Sequence, residues 1–590
     1  MRFSTLCQAY VDISKTSKRL EKTAILERLL KETPDKDLER VMMLLKGRVF
    51  PEWEKTQIGI SEKTAIKAVV VATGASEADV LKRFKKEGDL GVVAAGLVGR
   101  KSQATLAREE LTVADVLRDM RKLATIEGTG SVDTKLKMIA KLLGNASPDE
   151  ARFLIRILLE DLRIGIADGT VRDAIVWHAL ERHERLRYDP AKGAWPEGAA
   201  LQVAAWTDAV QNALDRSNDA AKTALMVREH GLAGLEKVAL TIGAPTKVML
   251  AQRATDLADA FERVGKPAAL EFKYDGFRLQ IHKRGKEVTL FTRRLENVTE
   301  QFPDVVQVIR EHIAHDCILD AEAVGVDPKT GHHVPFQHVS QRIRRKYDID
   351  QLMRELPVEV YVFDLLLLGK DPVYTQGWQE RRKALEHLVP IVKGRLRPSD
   401  LLRTDEEEKA RTYYERALAA GYEGLMFKAL DAPYKPGSRV GFMVKLKPTL
   451  DTLDCAVVGA EWGEGKRSGW FTSFTLAVVD DDGELVEIGR VGTGLKELEN
   501  EEGAATFQEM TDLLKPLVTH ETGKEVTVRP KVVLEVKCEE IQKSPSYSSG
   551  FALRFPRVVR VRSDRRASEA STVSDVLDIF DAQKGKKRTA

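Results

Sequence analysis

Glu271-Phe272-Lys273-Tyr274-Asp275-Gly276-Phe277-Arg278 is the stretch on which the reading of the whole chain turns. With a reference pKa of about 10.4, only roughly a thousandth of an ordinary lysine is neutral at pH 7. A reactive lysine therefore needs cations close by. Asp275-Gly276 kinks or reverses the chain behind Lys273, and the alternation of Leu279, Gln280, Ile281 and His282 then predicts a strand. Lys273 and Arg278 would flank that turn. Taken alone, the stretch reads at least as well as an exposed hairpin tip with a solvated Lys and Arg.

Working outward, further charged residues fall where apolar neighbours predict buried or strand-end positions, which is costly without a partner or a task. Arg293 follows the predicted strand Val288 to Phe291, with Glu296 shortly after. Glu322 lies in Cys317-Ile318-Leu319-Asp320-Ala321-Glu322-Ala323-Val324, where period two puts Asp320 and Glu322 on one face. Phe363 and Asp364 interrupt the predicted strand Val358 to Leu367, and Glu423 opens Glu423-Gly424-Leu425-Met426-Phe427-Lys428. Arg439 precedes Phe442 to Lys447, in which Lys445 and Lys447 share a face. Each residue alone fits a surface pair, a strand end or core. Together they supply a nucleophile, carboxylates for a hard divalent cation, cations for a polyphosphate and a ring for a base, the set that phosphoryl or nucleotidyl transfer needs.

The rest of the chain frames this middle part. With 590 residues it is too long for one core and implies about three or four domains. A hydrophobic fraction of 43% beside 31% charged residues reads as globular and soluble, and a net charge of +3 gives no sign of a strongly basic binder unless basic residues are segregated onto one face. Cys7, Cys317, Cys455 and Cys538 form no Cys-x-x-Cys pair, which argues against a zinc site or disulfide framework and for a reducing compartment. No apolar run has membrane-spanning length, and Met1-Arg2-Phe3-Ser4 lacks the apolar core of a signal peptide, so a cytoplasmic location is expected.

Up to about residue 185 the spacing is helical, with Leu38, Val41, Met42 and Leu45 on one face and Phe153, Leu154, Ile157 and Leu158 on another. The turn Asp161 to Thr170 offers glycine N–H groups, Arg163 and a capping Thr170, which suits either a phosphate or a plain helix connection. Tyr188 to Ala199 predicts a long loop, Trp206 to Val238 more helix, and Thr241 to Pro245 a boundary. Strands alternate with helices to about residue 448. Beyond it, Cys455 to Gly459, Phe474 to Val479, Leu485 to Val491 and Val532 to Glu539 predict short strands of a small β-barrel, and Lys584 to Arg588 a frayed basic tail.

Lys273-Tyr274-Asp275-Gly276-Phe277-Arg278 resembles the Lys-x-Asp-Gly-x-Arg motif of the covalent nucleotidyltransferases. Thr292 to Asn297, Leu319 to Glu322, Val362 to Leu365, Glu423 to Met426, Lys445 to Lys447 and Leu553 to Arg557, with Arg560 and Arg562 beyond, resemble the later motifs in order. Nearly the whole chain is similar to the ATP-dependent DNA ligases of the archaeal form, through Gly47 to Trp53, Asp161 to Gly165 and Glu540 to Pro545.

The resemblance implies an all-α DNA-binding domain over residues 1–239, an α+β nucleotidyltransferase (adenylation) domain over 240–448, and a β-barrel OB-fold domain with its tail over 449–590. It implies a nucleophilic Lys273 that takes AMP from ATP, passes it to the 5′-phosphate at a nick and lets the 3′-hydroxyl displace it. Glu271 would meet the adenine edge and Phe363 its face. Arg278, Arg293, Arg439, Lys445 and Lys447 would hold ribose and phosphates, Arg554 and Arg557 pyrophosphate, and Glu322 and Glu423 Mg²⁺. The implied partner is nicked double-stranded DNA, gripped through its phosphates by a nucleoid-associated monomer. Gln103-Ala104-Thr105-Leu106-Ala107 keeps the glutamine and one apolar residue of a sliding-clamp motif but no aromatic. An RNA ligase or capping guanylyltransferase shares the lysine chemistry, and a non-catalytic DNA-binding relative shares the domains; the large helical domain and Arg554-Phe555-Pro556-Arg557 speak against the former, the full set of motif residues against the latter.

Overall fold

The computed structural model describes residues 1–590 except 52, 55, 100–108, 129, 190–191, 335, 345–347, 449–451, 465–466, 498–504 and 584–590. Gln103 to Ala107 and the basic tail thus lie outside the described residues. Packing divides the chain into two compact units. The first comprises Met1–Gln252, Phe261–Asp405 and Phe427–Val444, the second Arg253–Ala260, Glu406–Met426 and Lys445–Ala590.

The first unit begins with α-helices from Phe3–Ser14 to Ala220–Glu236, where helical periodicity predicts them. Ser147 and Glu150 form a capping box on the helix Pro148–Leu158, satisfying N–H groups that the first turn leaves open. That helix buries Phe153 against Tyr10, with ring centroids 4.7 Å apart, and the Tyr10 hydroxyl donates to the Leu44 carbonyl at 2.6 Å. The turn after Asp161 departs from expectation in one detail. The next helix spans Asp168–Ala179 with Ala167 as its cap, so Thr170 is already inside it and caps nothing.

Two sheets follow. The strands are β1 (Leu250–Arg253), β2 (Ala268–Phe272), β3 (Phe277–Arg284), β4 (Glu287–Thr292), β5 (Cys317–Val326), β6 (His333–Val334), β7 (Val358–Leu368), β8 (Leu396–Pro398), β9 (Leu401–Thr404), β10 (Leu425–Ala429) and β11 (Arg439–Leu446). One sheet has the order β1-β11-β10-β2-β9, and the other β4-β3-β5-β7-β8 with β6 beside β5. β2 and β3 lie in different sheets, so Lys273 to Gly276 is a crossing between sheets and not a hairpin tip. On the second sheet Phe277, Leu279, Ile281, Leu319, Ala321, Ala323, Val360 and Val362 face an apolar core with the helix Pro303–His312. The alternate residues, Arg278, Gln280, Asp320 and Glu322, point the other way. The helical part is tied to this sheet by polar contacts: Thr246 N–H donates to Gln280 Oε1 at 2.9 Å, the Thr246 hydroxyl to the Asp215 carbonyl at 2.6 Å, and Gly243 N–H to His282 Nδ1 at 2.9 Å.

The second unit carries β12 (Leu453–Trp462), β13 (Phe471–Val479), β14 (Leu485–Val491), β15 (Val518–Thr522), β16 (Glu525–Val528), β17 (Val533–Lys537), β18 (Glu540–Lys543), β19 (Phe551–Arg554) and β20 (Arg557–Val561). A seven-stranded sheet runs β14-β13-β12-β16-β15, with β17 pairing β12 and β20, and β18-β19 form a hairpin. The expected barrel is not closed by ladders among the described residues. The free edge of β14 is taken up by the segment before β19, where Ser549 N–H donates to the Glu487 carbonyl at 3.1 Å. Val558 N–H donates to the Thr493 carbonyl at 2.9 Å and the Thr493 hydroxyl to the Pro556 carbonyl at 2.7 Å, which joins that side to the start of β20. All four cysteines are buried free thiols. Among the described residues no helix is long and apolar enough to cross a membrane.

Candidate active site

The crossing from β2 to β3 is set by a glycine. A Cβ at Gly276 would press into the Ala323 carbonyl, 3.0 Å from its carbon and 3.0 Å from Glu322 Cγ. Only hydrogen fits, so the Lys273 turn lies directly on β5. Lys273 is half-buried just past the end of β2, and Tyr274 behind it is buried. The Tyr274 ring stacks on Tyr361 of β7 at 4.1 Å, and its hydroxyl meets Asp400, accepting from the main-chain N–H at 2.9 Å.

Arg278 stands opposite Glu322 in the β3–β5 ladder. Its guanidinium grips Asp320 with two prongs, Nε to Oδ1 at 2.8 Å and Nη2 to Oδ2 at 2.5 Å, and donates to the Met249 carbonyl at 2.7 Å. The Tyr434 hydroxyl donates to the same carboxylate at 2.7 Å. Burial works against the cation, but the Asp320 charge outweighs it and holds the Arg278 pKa above its ordinary value.

Phe363 owes its place to a bulge. Ala321 pairs with Val362 and Asp320 with Asp364, so Phe363 is the extra residue of β7 and is half-exposed in an otherwise buried strand. A second extra residue, Leu366, follows between the pairs Leu319–Leu365 and Ile318–Leu367. The Arg278 guanidinium lies 5.3 Å from the Phe363 ring centroid and Lys428 Nζ 5.1 Å. Next to it, Asp364 is held by Arg381 at 2.7 and 3.1 Å. Burial raises the Asp364 pKa, Arg381 and Lys428 lower it, and the cations win. Glu271, 2% exposed, accepts from Lys428 Nζ at 2.7 Å and from Arg382 Nη1 at 3.1 Å.

Glu271, Lys273, Arg278, Glu322 and Phe363 are thus brought together around one crossing and one sheet face. Arg293 and Arg439 are exposed and make no ion pair among the described residues. Glu296 is bonded to Thr292, not to Arg293: the Thr292 hydroxyl donates to its carboxylate at 3.3 Å. The other expected residues belong to the second unit. There a Cβ at Gly424, whose φ is +132°, would strike the Leu446 carbonyl, while Glu423 pairs with Lys447 at 2.9 Å and Lys447 with Glu539 at 3.4 Å. Lys445 and Lys447 are half-buried on either side of buried Leu446, Arg554 donates to Glu540 at 2.8 Å, and Arg557 is exposed.

Three family models match in order: "DNA ligase N terminus" over residues 2–176, "ATP dependent DNA ligase domain" over 248–447 and "ATP dependent DNA ligase C terminal region" over 467–565. The chain is 45% identical to a DNA ligase of Nanoarchaeum equitans, covering 99% of both, and 38% identical to one of Methanocella arvoryzae over 99% of this chain and 98% of that protein. The chain belongs to the ATP-dependent DNA ligases. Among solved structures, the ligase domain of Mycobacterium tuberculosis LigD is similar at 28% identity over 55% of this chain and 97% of that one, with a TM-score of 0.30. The ligase is a multi-domain enzyme with a helical N-terminal part, a central adenylation domain and a C-terminal domain. It joins DNA in an ATP-dependent reaction through a lysine-bound AMP, with Mg²⁺ as cofactor, and the RNA-ligase and non-catalytic readings are not favoured.

Sequence reasoning missed the residues that hold these candidates in place: Tyr434, Lys428, Arg381 and Arg382. For the arginines a signal existed. Trp378, Arg381, Arg382, Leu385 and Leu388 are the buried residues of the helix Trp378–Leu388. Their spacing is that of an apolar stripe, in which two arginines announce buried carboxylates facing the helix.

Proposed function

We propose that Lys273 is the nucleophile of the ligase: its Nζ forms a bond to the α-phosphorus of ATP as the bond to pyrophosphate breaks. The observation that carries this is the crossing turn, which sets Lys273 beside a sheet face bearing Arg278 and Glu322 while Gly276 holds it against β5. AMP then passes to the 5′-phosphate of a nick, and the 3′-hydroxyl displaces it. Glu271 and Phe363 read the base by its edge and its face. Arg278, whose guanidinium is fixed by Asp320, contacts ribose or phosphate, and Arg293 and Arg439 reach the phosphates from the surface.

Lys445, Lys447, Arg554 and Arg557 take phosphate or pyrophosphate roles, and Glu423 a metal role, on the strength of sequence likeness. Among the described residues no three His, Cys, Asp or Glu side chains gather to hold a metal. Mg²⁺ is commonly bound by one or two carboxylates with substrate phosphates completing its shell. Glu322 and Glu423 are the carboxylates proposed for it, and the ion supplies charge neutralisation at the reacting phosphate.

We assign the functional parts to residues 1–239, 240–448 and 449–590, the last as an OB-fold whose strands pair around β12. The helical part grips nicked duplex through phosphates; Lys22 and Arg19 crowd the turn at Gly165 and Gly169, which supports a phosphate-facing role there. A monomer acting in the cytoplasm on the nucleoid, with a degenerate sliding-clamp motif at Gln103 to Ala107, completes the reading. Incubation with α-labelled ATP and Mg²⁺ tests it: acid-stable label is expected on the wild type and none on Lys273→Ala. Full label on the variant would move the nucleophile elsewhere.

A further inference from the structure

Lys428 touches both groups assigned to the base. Its Nζ lies 2.7 Å from Glu271 Oε2 and 3.2 Å from the Phe363 carbonyl oxygen, and 5.1 Å from the Phe363 ring centroid. The ammonium also lies 5.6 Å from the Trp378 ring centroid. Lys428 is 4% exposed and Glu271 2%, so neither exchanges these contacts for water. The other Glu271 oxygen is taken by Arg382, which is anchored on Ser399 through its hydroxyl at 2.6 Å and its carbonyl at 2.7 Å. Glu271 is therefore clamped from two sides, and on the Lys428 side it is clamped to the backbone that carries the stacking ring.

We propose that Lys428 is a positioning residue that sets base specificity, by fixing the Glu271 carboxylate at one offset from the Phe363 ring. This rests on the reading of Glu271 and Phe363 as edge and face contacts. A carboxylate is an acceptor only. Held in one place, it accepts from the exocyclic amine of adenine and meets a repelling carbonyl oxygen when guanine occupies the same position. A carboxylate free to swing can instead reach the N1–H and N2 amine of guanine and bind it with two hydrogen bonds. Selectivity then comes from immobility and not from the carboxylate itself, and immobility is what Lys428 supplies. A lysine buried against one acid and one carbonyl is costly on stability grounds alone, since an apolar residue of the same length avoids the desolvation of the ammonium.

The test is single-turnover protein labelling with α-labelled ATP and, separately, α-labelled GTP, giving a ratio of kcat/KM values, with a thermal melt of each variant. In Lys428→Met the ATP:GTP ratio is expected to fall by about tenfold to a hundredfold, the range that one bidentate base contact spans, mostly through KM. Lys428→Gln, uncharged but able to donate to the Phe363 carbonyl, gives the same fall and replaces the first variant should that one not melt cooperatively. Lys428→Arg keeps a cation on the carboxylate and keeps the ratio within about threefold. Glu271→Gln separates the two levels of the argument. If it changes the ratio while both uncharged Lys428 variants lose ATP and GTP use in equal proportion, the clamp is merely structural and the proposal is overturned. If Glu271→Gln itself leaves the ratio unchanged, the base reading fails and the proposal with it.

Discussion

Gly276→Ala is a one-carbon perturbation whose consequence can be worked from distances. The added Cβ would stand 3.0 Å from the Ala323 carbonyl carbon and from Glu322 Cγ, and closer still to the carbonyl oxygen. Carbon atoms in ordinary contact sit about 3.5–4.0 Å apart, so the turn and β5 must part by roughly 0.5–1 Å. Glu322 can rotate aside, but the Ala323 carbonyl is backbone in the centre of a sheet between β3 and β7. The turn therefore gives way, and Lys273 moves with it. A misplacement of about 1 Å costs on the order of a hundredfold in rate when reacting atoms must be aligned. Rapid-quench measurement of adenylylation should show that loss at saturating ATP, with a melt lowered by no more than a strained surface turn requires. Gly96→Ala is the control: it lies in the helix Leu90–Val98, where an added Cβ would meet no atom within 4 Å, and the change there should be neutral or raise stability by about 0.5–1 kcal/mol. A Gly276→Ala enzyme that adenylylates within about threefold of wild type would show that Lys273 is not positioned by this contact.

Three further outcomes follow from the geometry. Burial, with Arg228 and Arg182 adding, pushes His178 down from 6.5 to about 4; the unfolded chain then takes up its proton first on acidification, so the stability tied to the neutral ring is whole above about pH 6.5 and lost as pH falls toward 4. His178→Leu should shrink the drop in urea-unfolding free energy between pH 7 and 5 by up to about 2 kcal/mol, and an unaltered drop refutes it. Arg381→Met strands the buried Asp364 carboxylate and should cost about 3–5 kcal/mol, with Asp364→Leu added on top restoring part of it; simple additivity in urea denaturation would mean that the pair is not coupled. Glu423→Ala should raise the Mg²⁺ concentration needed for half-maximal adenylylation by about tenfold or more with the melt preserved, and an unmoved magnesium titration would take Glu423 off the metal.

Much of the fold was legible where local pattern decides it. Val288 to Phe291, Ile318 to Val324 and Leu485 to Val491 are strands because β-branched and apolar residues sit between turn residues. Pairing was not legible, because it joins residues far apart in sequence. Asp275-Gly276 looks like a hairpin turn and is a sheet-to-sheet crossing, because β2 and β3 pair in different sheets, with Gly276 packed on Ala323. Closure of a barrel was equally out of reach, since it depends on what occupies the edge of β14. At the site, Glu322 and Phe363 stood out as interruptions of apolar runs, while Lys273 and Arg278 gained their meaning only from the set of distant residues taken together. Lys428 and Tyr434 did not stand out, because a residue that holds another in place need carry no local mark, and Arg381 showed itself only as a charge in the apolar stripe of its helix.

The two extra residues of β7 make that strand a frame that slips twice. Inward-facing positions read Val358, Val360 and Val362, then Leu365, then Leu368, so each slip changes which parity looks inward. Between the slips Asp364 shares a side with Asp320 although its predecessor two places back, Val362, is in the apolar core. Phe363 and Leu366 are the residues the ladder leaves over: deleting Phe363 would keep Asp364 opposite Asp320 in plain alternation but remove the bulge and its half-exposed ring, whereas Phe363→Tyr or Phe363→Trp keeps both. Natural variation among ligases of this kind should accordingly keep an aromatic ring at the position of Phe363 and hold the spacing from Val362 to Leu368 constant.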